Sequence, residues 1–266
     1  MKAIPTPSFT ATGRTDMRGH GAGGLSPARE IAYVAVTCAL LIGVQLALYA
    51  LPGVECVTAL LLCASFAFGA RFGFLTGLAF SLLRCILFGF YPSVIILYCI
   101  YFPLFGLIFG LTGKLDGKKL PLFFKVAVNV ALVALGCAAF CAAGFDLIKV
   151  SRIYEETVEI FLWALGGIFC AIFIAFNAVC IADRRSTSQG RLLLLFFVTT
   201  VAAICTVCFT LLDDVITPLV IGMTAGGTLT YFYASFTAML PQTVCTIISV
   251  ALLFYPLTSA LKKLKK

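Results

Sequence analysis

Apolar stretches of about 20 residues recur in this chain from residue 31 to its end, and each is long enough to cross a hydrocarbon core of roughly 30 Å. They lack the alternation of apolar and polar residues that marks the strands of a membrane barrel, so helices are favoured. Of the 266 residues, 62% are hydrophobic and 11% are charged, whereas soluble domains carry about 25% charged residues. We therefore predict an all-α, polytopic bundle of transmembrane helices.

Eight spans are predicted, with polar segments at both ends of the chain. The spans cover residues 31–51, 55–70, 72–90, 94–113, 121–144, 160–182, 192–212 and 237–259. Residues 1–30 are predicted to be a disordered cytoplasmic tail, 31–261 the helical membrane domain and 262–266 a basic cytoplasmic C-terminus. Residues 215–236 are also apolar, but they contain Pro218 and Gly222. We interpret them as an element on the outer side, either re-entrant or a surface lid.

The orientation follows from the distribution of Lys and Arg. With the N-terminus inside, the outer side receives only Lys149 and Arg152, and the remaining loop and terminal basic residues lie inside. This arrangement predicts N-in and C-in topology in the cytoplasmic membrane of a bacterium. The net charge of +8 is then explained by the positive-inside rule, and no nucleic-acid partner is predicted.

Charged and polar residues within apolar spans are candidates for function because they are costly in hydrocarbon. Arg84 lies toward the outer end of the third span, and the acids Glu55, Asp146, Asp213 and Asp214 map to the same side. One hypothesis is an outer cavity in which Arg84 and the acidic pair bind a polar ligand. The alternative is a structural salt bridge between helices. The candidate substrate-binding residues are Arg84, Asp213, Asp214, Glu55, Gln242 and Tyr231.

Some of these candidates have a simpler explanation. Gln242, like Asn129 and Asn177, is a residue for which an interhelical hydrogen bond is the more common role. Tyr231 suits the aromatic belt at a membrane surface, or stacking on a ligand.

Small residues lie three or four positions apart on one face of the first span. Such a face lets another helix approach closely in lipid. The residues proposed for docking to a separate membrane subunit are Ala32, Ala35 and Ala39. The alternative is packing inside this chain's own bundle.

Several familiar chemistries have no signature here. Most of the twelve cysteines lie inside apolar runs without metal-ligand spacing, and the single histidine, His20, lies in the Gly-rich tail. There is no P-loop, no HExxH and no GxSxG. We predict no cofactor, no metal and no enzymatic activity.

Residues 66–115 resemble the substrate-binding S components of energy-coupling factor (ECF) transporters. The similarity lies in a Gly-aromatic turn between the second and third spans, a Gly/Phe-rich turn after the third, and a Gly-x-x-x-Gly pair in the fourth. These motifs read Arg71-Phe72-Gly73-Phe74, Phe88-Gly89-Phe90-Tyr91-Pro92 and Gly106 with Gly110. The pair Ala35 and Ala39 resembles the family's small-residue docking motif, and the tail of the chain, at 231–257, resembles its final helix.

The resemblance implies a protein that captures a vitamin or related micronutrient in a cavity near the outer surface. It also implies a transmembrane T component and two ATPase subunits as partners. Two other hypotheses remain open. One is a proton-coupled secondary transporter using Asp213, Asp214 or Glu55, and the other is a membrane enzyme whose Asp213–Asp214 pair holds a divalent metal.

Overall fold

The computed structural model describes residues 26–50, 56–115, 120–144, 152–185 and 190–265, and these ranges form a bundle of helices. Seven of the helices within them are long and apolar enough to cross a membrane, which confirms the predicted polytopic helical bundle. The helices are α1 (Pro27–Leu48), α2 (Val57–Phe68), α3 (Ala70–Phe88), α4 (Pro92–Thr112), α5 (Leu122–Gly144), α6 (Arg152–Arg185), α7 (Gly190–Ile221) and α8 (Ala225–Lys265). A single 3-10 turn, Gly113–Leu115, extends α4.

The second predicted span, at 55–70, is shorter in the structure than the sequence suggested. Helix α2 has 12 residues and is therefore about 18 Å long, too short to cross a bilayer alone. Ten of those residues are buried, because α2 packs against α8, α4 and α3. Its uniform apolarity thus reflects burial within the protein, and Gly69, with φ +109°, allows the chain to turn directly into α3.

The start of α1 and the end of α8 lie at the same end of the bundle, which we call the terminal end. Tyr33 donates a hydrogen bond to the carbonyl oxygen of Leu264 at 3.2 Å, and its ring stacks on Phe68 with centroids 5.4 Å apart. At the opposite end, the rings of Tyr49 and Phe88 are 5.7 Å apart. Helices α1 and α3 therefore run in the same direction, and α2 and α8 run antiparallel to them.

Helices α3 and α4 make the closest helix–helix contact in the described part of the chain. A Cβ atom added to Gly73 would lie 2.2 Å from the carbonyl oxygen of Gly106, and one added to Gly106 would lie 2.1 Å from that of Gly73. A Cβ on Gly110 would lie 2.3 Å from the Cα of Ala70. The Gly106–x–x–x–Gly110 pair thus serves close backbone packing against α3.

The segment 215–236, interpreted from the sequence as a re-entrant element or surface lid, is a helical hairpin whose two arms are the end of α7 and the start of α8. Helix α7 continues to Ile221, the chain turns at Gly222 with φ +74°, and α8 begins at Ala225. The amides of Gly222 and Met223 both donate to the carbonyl oxygen of Pro218 at 3.0 Å. A glycine suits this left-handed position, which the apolar composition of the segment does not reveal.

Helices α7 and α8 are longer than a membrane crossing requires. They contain 32 and 41 residues, or about 48 and about 60 Å, against roughly 30 Å of hydrocarbon. If α7 enters the hydrocarbon near Leu192, its residues from Asp213 onward reach or pass the opposite boundary. We call this tip, residues 213–236, the α7–α8 hairpin end. The basic residues Lys262, Lys263 and Lys265 lie in the last turn of α8.

Candidate functional site

The acidic pair lies between the two helices of the α7–α8 hairpin end and is held by hydroxyl groups. Thr217 donates to Oδ1 of Asp213 at 2.7 Å, and Tyr231 donates to Oδ2 of Asp213 at 2.7 Å. Ser235 lies 2.7 Å from Oδ2 of Asp214. Asp213 and Asp214 therefore both join α7 to α8, through separate partners.

The two carboxylates differ in how fully they are satisfied. Asp213 is half-buried, and each of its oxygens accepts a hydrogen bond. Asp214 is only 4% exposed, and its Oδ1 is buried without a hydrogen-bond partner. Buried polar atoms are nearly always hydrogen-bonded, because an unmet one costs about 1–3 kcal/mol. Oδ1 of Asp214 is therefore the carboxylate oxygen of this cluster that lacks a hydrogen-bond donor or a cation.

No described basic side chain neutralises the pair. The ion pair found among the described residues joins Arg71 to Glu30 at 3.6 Å, at the terminal end. Within those same ranges, no group of three or more His, Cys, Asp or Glu side chains is placed to hold a metal ion. The cluster is thus a concentration of negative charge surrounded by hydroxyl groups.

Polar contacts continue from the acidic pair toward the terminal end. Thr210 lies 3.5 Å from Oε1 of Gln242, a long contact, and the hydroxyls of Thr206 and Thr246 are 3.1 Å apart. Thr206 and Thr210 also bond to carbonyl oxygens one turn earlier in α7. Gln242 therefore belongs to a row of polar contacts between α7 and α8, on the side of the acidic pair that faces the terminal end.

Arg84 contacts aromatic rings on α3 and α4. Its guanidinium carbon is 3.9 Å from the ring centroid of Tyr98 and 5.4 Å from that of Phe88, and its Nε has no hydrogen-bond partner. Tyr98 packs in turn on Phe209 of α7, with centroids 5.6 Å apart. Arg84 is thus stacked on aromatic rings and forms no ion pair with Asp213 or Asp214, the two described acids among its candidate partners.

Two other acidic candidates cannot be placed in this arrangement. Glu55 and Asp146 lie outside the described residues. The structure brings four of the predicted site residues together between α7 and α8: Asp213, Asp214, Tyr231 and the more distant Gln242.

The predicted docking residues face away from the bundle. Ala32, Ala35 and Ala39 are all exposed, whereas Cys38 and Leu41 on the other side of α1 are buried. Cys38 lies 3.5 Å from the carbonyl oxygen of Thr76 on α3. Packing inside this chain's own bundle is therefore the wrong explanation for the three alanines.

A largely apolar cavity of about 340 Å³ lies between α1 and α3 near the terminal end. Glu30 and Arg71, the ion pair, lie at its edge. It is far from the hairpin end, so it is not the outer cavity expected from the sequence. The side chains that line it are Pro27, Glu30, Ile31, Val34, Arg71, Leu75, Leu78, Ala79 and Leu82.

Sequence reasoning missed the hydroxyl groups that hold the acidic pair. Thr217 and Ser235 look unremarkable one at a time in an apolar stretch. For Thr217 the available signal was spacing, because polar residues recur every three or four positions along α7, which places them on one helix face. These residues are Thr206, Thr210, Asp213, Asp214 and Thr217.

Comparisons with protein-family models, with curated proteins and with solved structures gave no match to this chain. The molecule itself is a multi-pass helical membrane protein by the length and apolarity of its helices. Its most distinctive polar feature is a carboxylate pair between the last two helices, and intramembrane carboxylates mark substrate or ion sites in many membrane proteins.

Proposed function

We propose that this protein is the substrate-capture membrane subunit of an ATP-driven importer of the energy-coupling factor type. It acts in the cytoplasmic membrane of a bacterium, binds a vitamin or related micronutrient from outside, and docks to a T component that carries two ATPase subunits. The observation that carries this proposal is the exposed small-residue face of α1. The resemblance of residues 66–115 to S components supports the same function.

The exposed face of α1 has the character of a helix-docking surface. Lipid chains pack equally well against large apolar side chains, so contact with lipid alone gives no reason for a row of alanines. Small side chains at Ala32, Ala35 and Ala39 let a second helix approach until the backbones touch. Since this chain's own helices leave that face open, a separate membrane subunit is its best occupant.

The capture site is proposed for the half of the bundle that contains the α7–α8 hairpin end. Asp213, Asp214 and Tyr231 supply charged and polar groups there, and Arg84 lies near the corresponding end of α3. Ligand sites are mostly apolar with a few well-placed polar groups, and this half of the protein combines both.

The docking part of the proposal is tested by bulky substitutions on α1. The variant Ala35→Leu/Ala39→Leu should lose co-purification with the T component from a bacterial host while remaining a monodisperse protein. The matched control is Ala134→Leu/Ala138→Leu, which places the same change at the same spacing on exposed positions of α5. The control should retain the partner.

Native mass spectrometry of the same preparations tests the capture part. The proposal expects a vitamin-sized molecule bound to the wild-type chain, and equally bound to Ala35→Leu/Ala39→Leu. Loss of ligand and partner together in that variant points to misfolding. A wild-type chain that carries neither, where a known S component retains both, contradicts the proposal.

The buried carboxylate of Asp214 favours one second candidate, a proton-coupled secondary transporter. Carboxylates shielded from water in membrane helices often serve as proton relays. Liposomes that contain only this chain separate the two functions. Uptake of ligand driven by an imposed pH gradient, without ATPase subunits, supports the transporter, whereas binding without gradient-driven accumulation supports the capture subunit.

A further inference from the structure

We propose that Asp214 anchors a single positive charge at the α7–α8 hairpin end, either the protonated amine of a ligand or a monovalent metal ion. The inference deepens the proposed function, on which its ligand part rests, because it would make the captured micronutrient an amine-bearing or cation-accompanied compound.

The four carboxylate oxygens of Asp213 and Asp214 are unequally supplied with hydrogen-bond donors. Both oxygens of Asp213 accept hydroxyl donors at 2.7 Å, and Oδ2 of Asp214 faces Ser235 at 2.7 Å. Oδ1 of Asp214 alone is buried without a partner, in a residue that is 4% exposed. An acceptor held in this way favours a group that brings positive charge or a donated hydrogen.

Protonation of Asp214 does not satisfy the free oxygen. Ser235 lies 2.7 Å from the carbonyl oxygen of Phe232 as well as from Asp214, and its one hydrogen can serve only one of them. A protonated Oδ2 would therefore donate to Ser235, which would donate to Phe232. Oδ1 of Asp214 would still have no donor, so the cluster needs a third group in either state.

The surroundings favour one positive charge over two. Both oxygens of Asp213 are already engaged by Thr217 and Tyr231, so Oδ1 of Asp214 is the one unpartnered oxygen of the pair, and no described Lys or Arg nitrogen lies within 4 Å of either carboxylate. Divalent calcium takes about 6–8 oxygen ligands, usually including several carboxylates, whereas this cluster offers one free carboxylate oxygen beside hydroxyl groups. An amine or a monovalent metal ion needs fewer anionic ligands.

An anionic ligand group is excluded from this position by the same charges. Arg84, the basic residue that would attract one, stacks on Tyr98 of α4, whose ring packs on Phe209 of α7. A ligand with both signs of charge would thus be held with its cationic end toward α7 and its anionic end toward α3.

The test measures thermal unfolding of the purified full chain in detergent as tetraethylammonium, which has no N–H group, is replaced by sodium, potassium or methylammonium at constant ionic strength. A ligand that binds only the folded state raises the unfolding midpoint in a saturable way. We expect such a rise for at least one of the three cations. A rise with methylammonium alone identifies an amine site, and a rise with sodium or potassium identifies a metal-ion site.

The variant Asp214→Asn keeps the size of the side chain and removes its charge, so its half-saturating cation concentration should increase by at least about tenfold. Asp183→Asn, the same change near the end of α6 at the terminal end, is the matched control and should respond like wild type. Asp214→Glu, which keeps the charge, should retain a response.

A wild-type chain that responds to none of the cations overturns the inference, since Asp214 is then satisfied by water or by a basic residue of the chain. An equal response in Asp214→Asn also overturns it. Both measurements use the isolated chain, so they are independent of the docking experiment. If no cation raises the unfolding midpoint but the T component still binds, only the cation site is rejected. If the T component does not bind but a cation still raises the midpoint, the importer function is rejected and the cation site is retained.

Discussion

The hydroxyl of Tyr231 on α8 donates a 2.7 Å hydrogen bond to Oδ2 of Asp213 on α7. The other oxygen of Asp213 accepts from Thr217 at 2.7 Å, so this carboxylate is fixed from both sides. The contact ties α7 and α8 together near their connecting turn, on the tip side of Asp214. Asp213 therefore has a structural role beside Asp214, whose free oxygen is the better candidate for binding.

Removing the Tyr231 hydroxyl should loosen the hairpin end. Hydrogen bonds to charged groups contribute about 1.5–3 kcal/mol, and the half-buried position of Tyr231 favours the lower part of that range. We expect Tyr231→Phe to lower the thermal unfolding midpoint and to increase hydrogen exchange in residues 213–236. Tyr91→Phe is the control, because Tyr91 is 65% exposed, and an equal decrease in both variants would contradict the role assigned to the Tyr231–Asp213 bond.

Gly73→Ala and Gly106→Ala should each disrupt the α3–α4 contact. The new Cβ would lie little more than 2 Å from a backbone carbonyl oxygen, and backbone cannot rotate away as a side chain can. Overpacking of this kind costs about 1–3 kcal/mol or more, so we expect a lower unfolding midpoint and poor yield of folded protein.

Gly167→Ala is the matched control for these glycine variants. Gly167 lies inside α6 with no atom within 4 Å of an added Cβ, and alanine is a better helix former by about 1 kcal/mol. The control should be neutral or stabilising. Tolerance of alanine at Gly73 and Gly106 would show that the two helices are not in backbone contact.

Arg84→Ala should lower the amount of ligand that the folded protein retains by about tenfold or more if its charge contacts the ligand. Its stacking on Tyr98 contributes about 0.5–2 kcal/mol, so Arg84→Met, which keeps the apolar stem, separates charge from packing. Native mass spectrometry gives the retained fraction. Arg71→Ala removes a cation that is 81% exposed at the terminal end and should change nothing, and unchanged retention in Arg84→Met would assign Arg84 to packing alone.

Asn129 and Asn177 should show direct energetic coupling between α5 and α6. Asn177 donates to Oδ1 of Asn129 at 2.7 Å, which confirms the interhelical hydrogen bond considered from the sequence. A double-mutant cycle of Asn129→Ala and Asn177→Ala in thermal unfolding should give a coupling of about 1 kcal/mol or less. Strict additivity would mean that each amide is satisfied by its own helix, through Lys125 and Phe173.

Part of the candidate site was predictable from the sequence and part was not. Asp213 and Asp214 stood out because charged residues are rare in apolar stretches, a property of each residue alone. Pairing Arg84 with them was only a hypothesis, because side-chain partners depend on the rotation of each helix about its axis. In the structure Arg84 faces Tyr98, and Ser235 of α8 faces Asp214.

The sequence by itself determined that the chain is a multi-pass helical bundle, since the length and apolarity of its stretches are set by the bilayer and by the need of every backbone group for a partner. It also identified the exposed alanines of α1 as a small-residue face. Tertiary structure decided that α2 is a short helix buried among its neighbours, that 215–236 is the tip of a hairpin, and that Asp214 has a free buried oxygen. These features depend on which helices pack together and at what rotation, and apolar composition does not encode that choice, because a residue facing lipid and one facing protein are equally apolar.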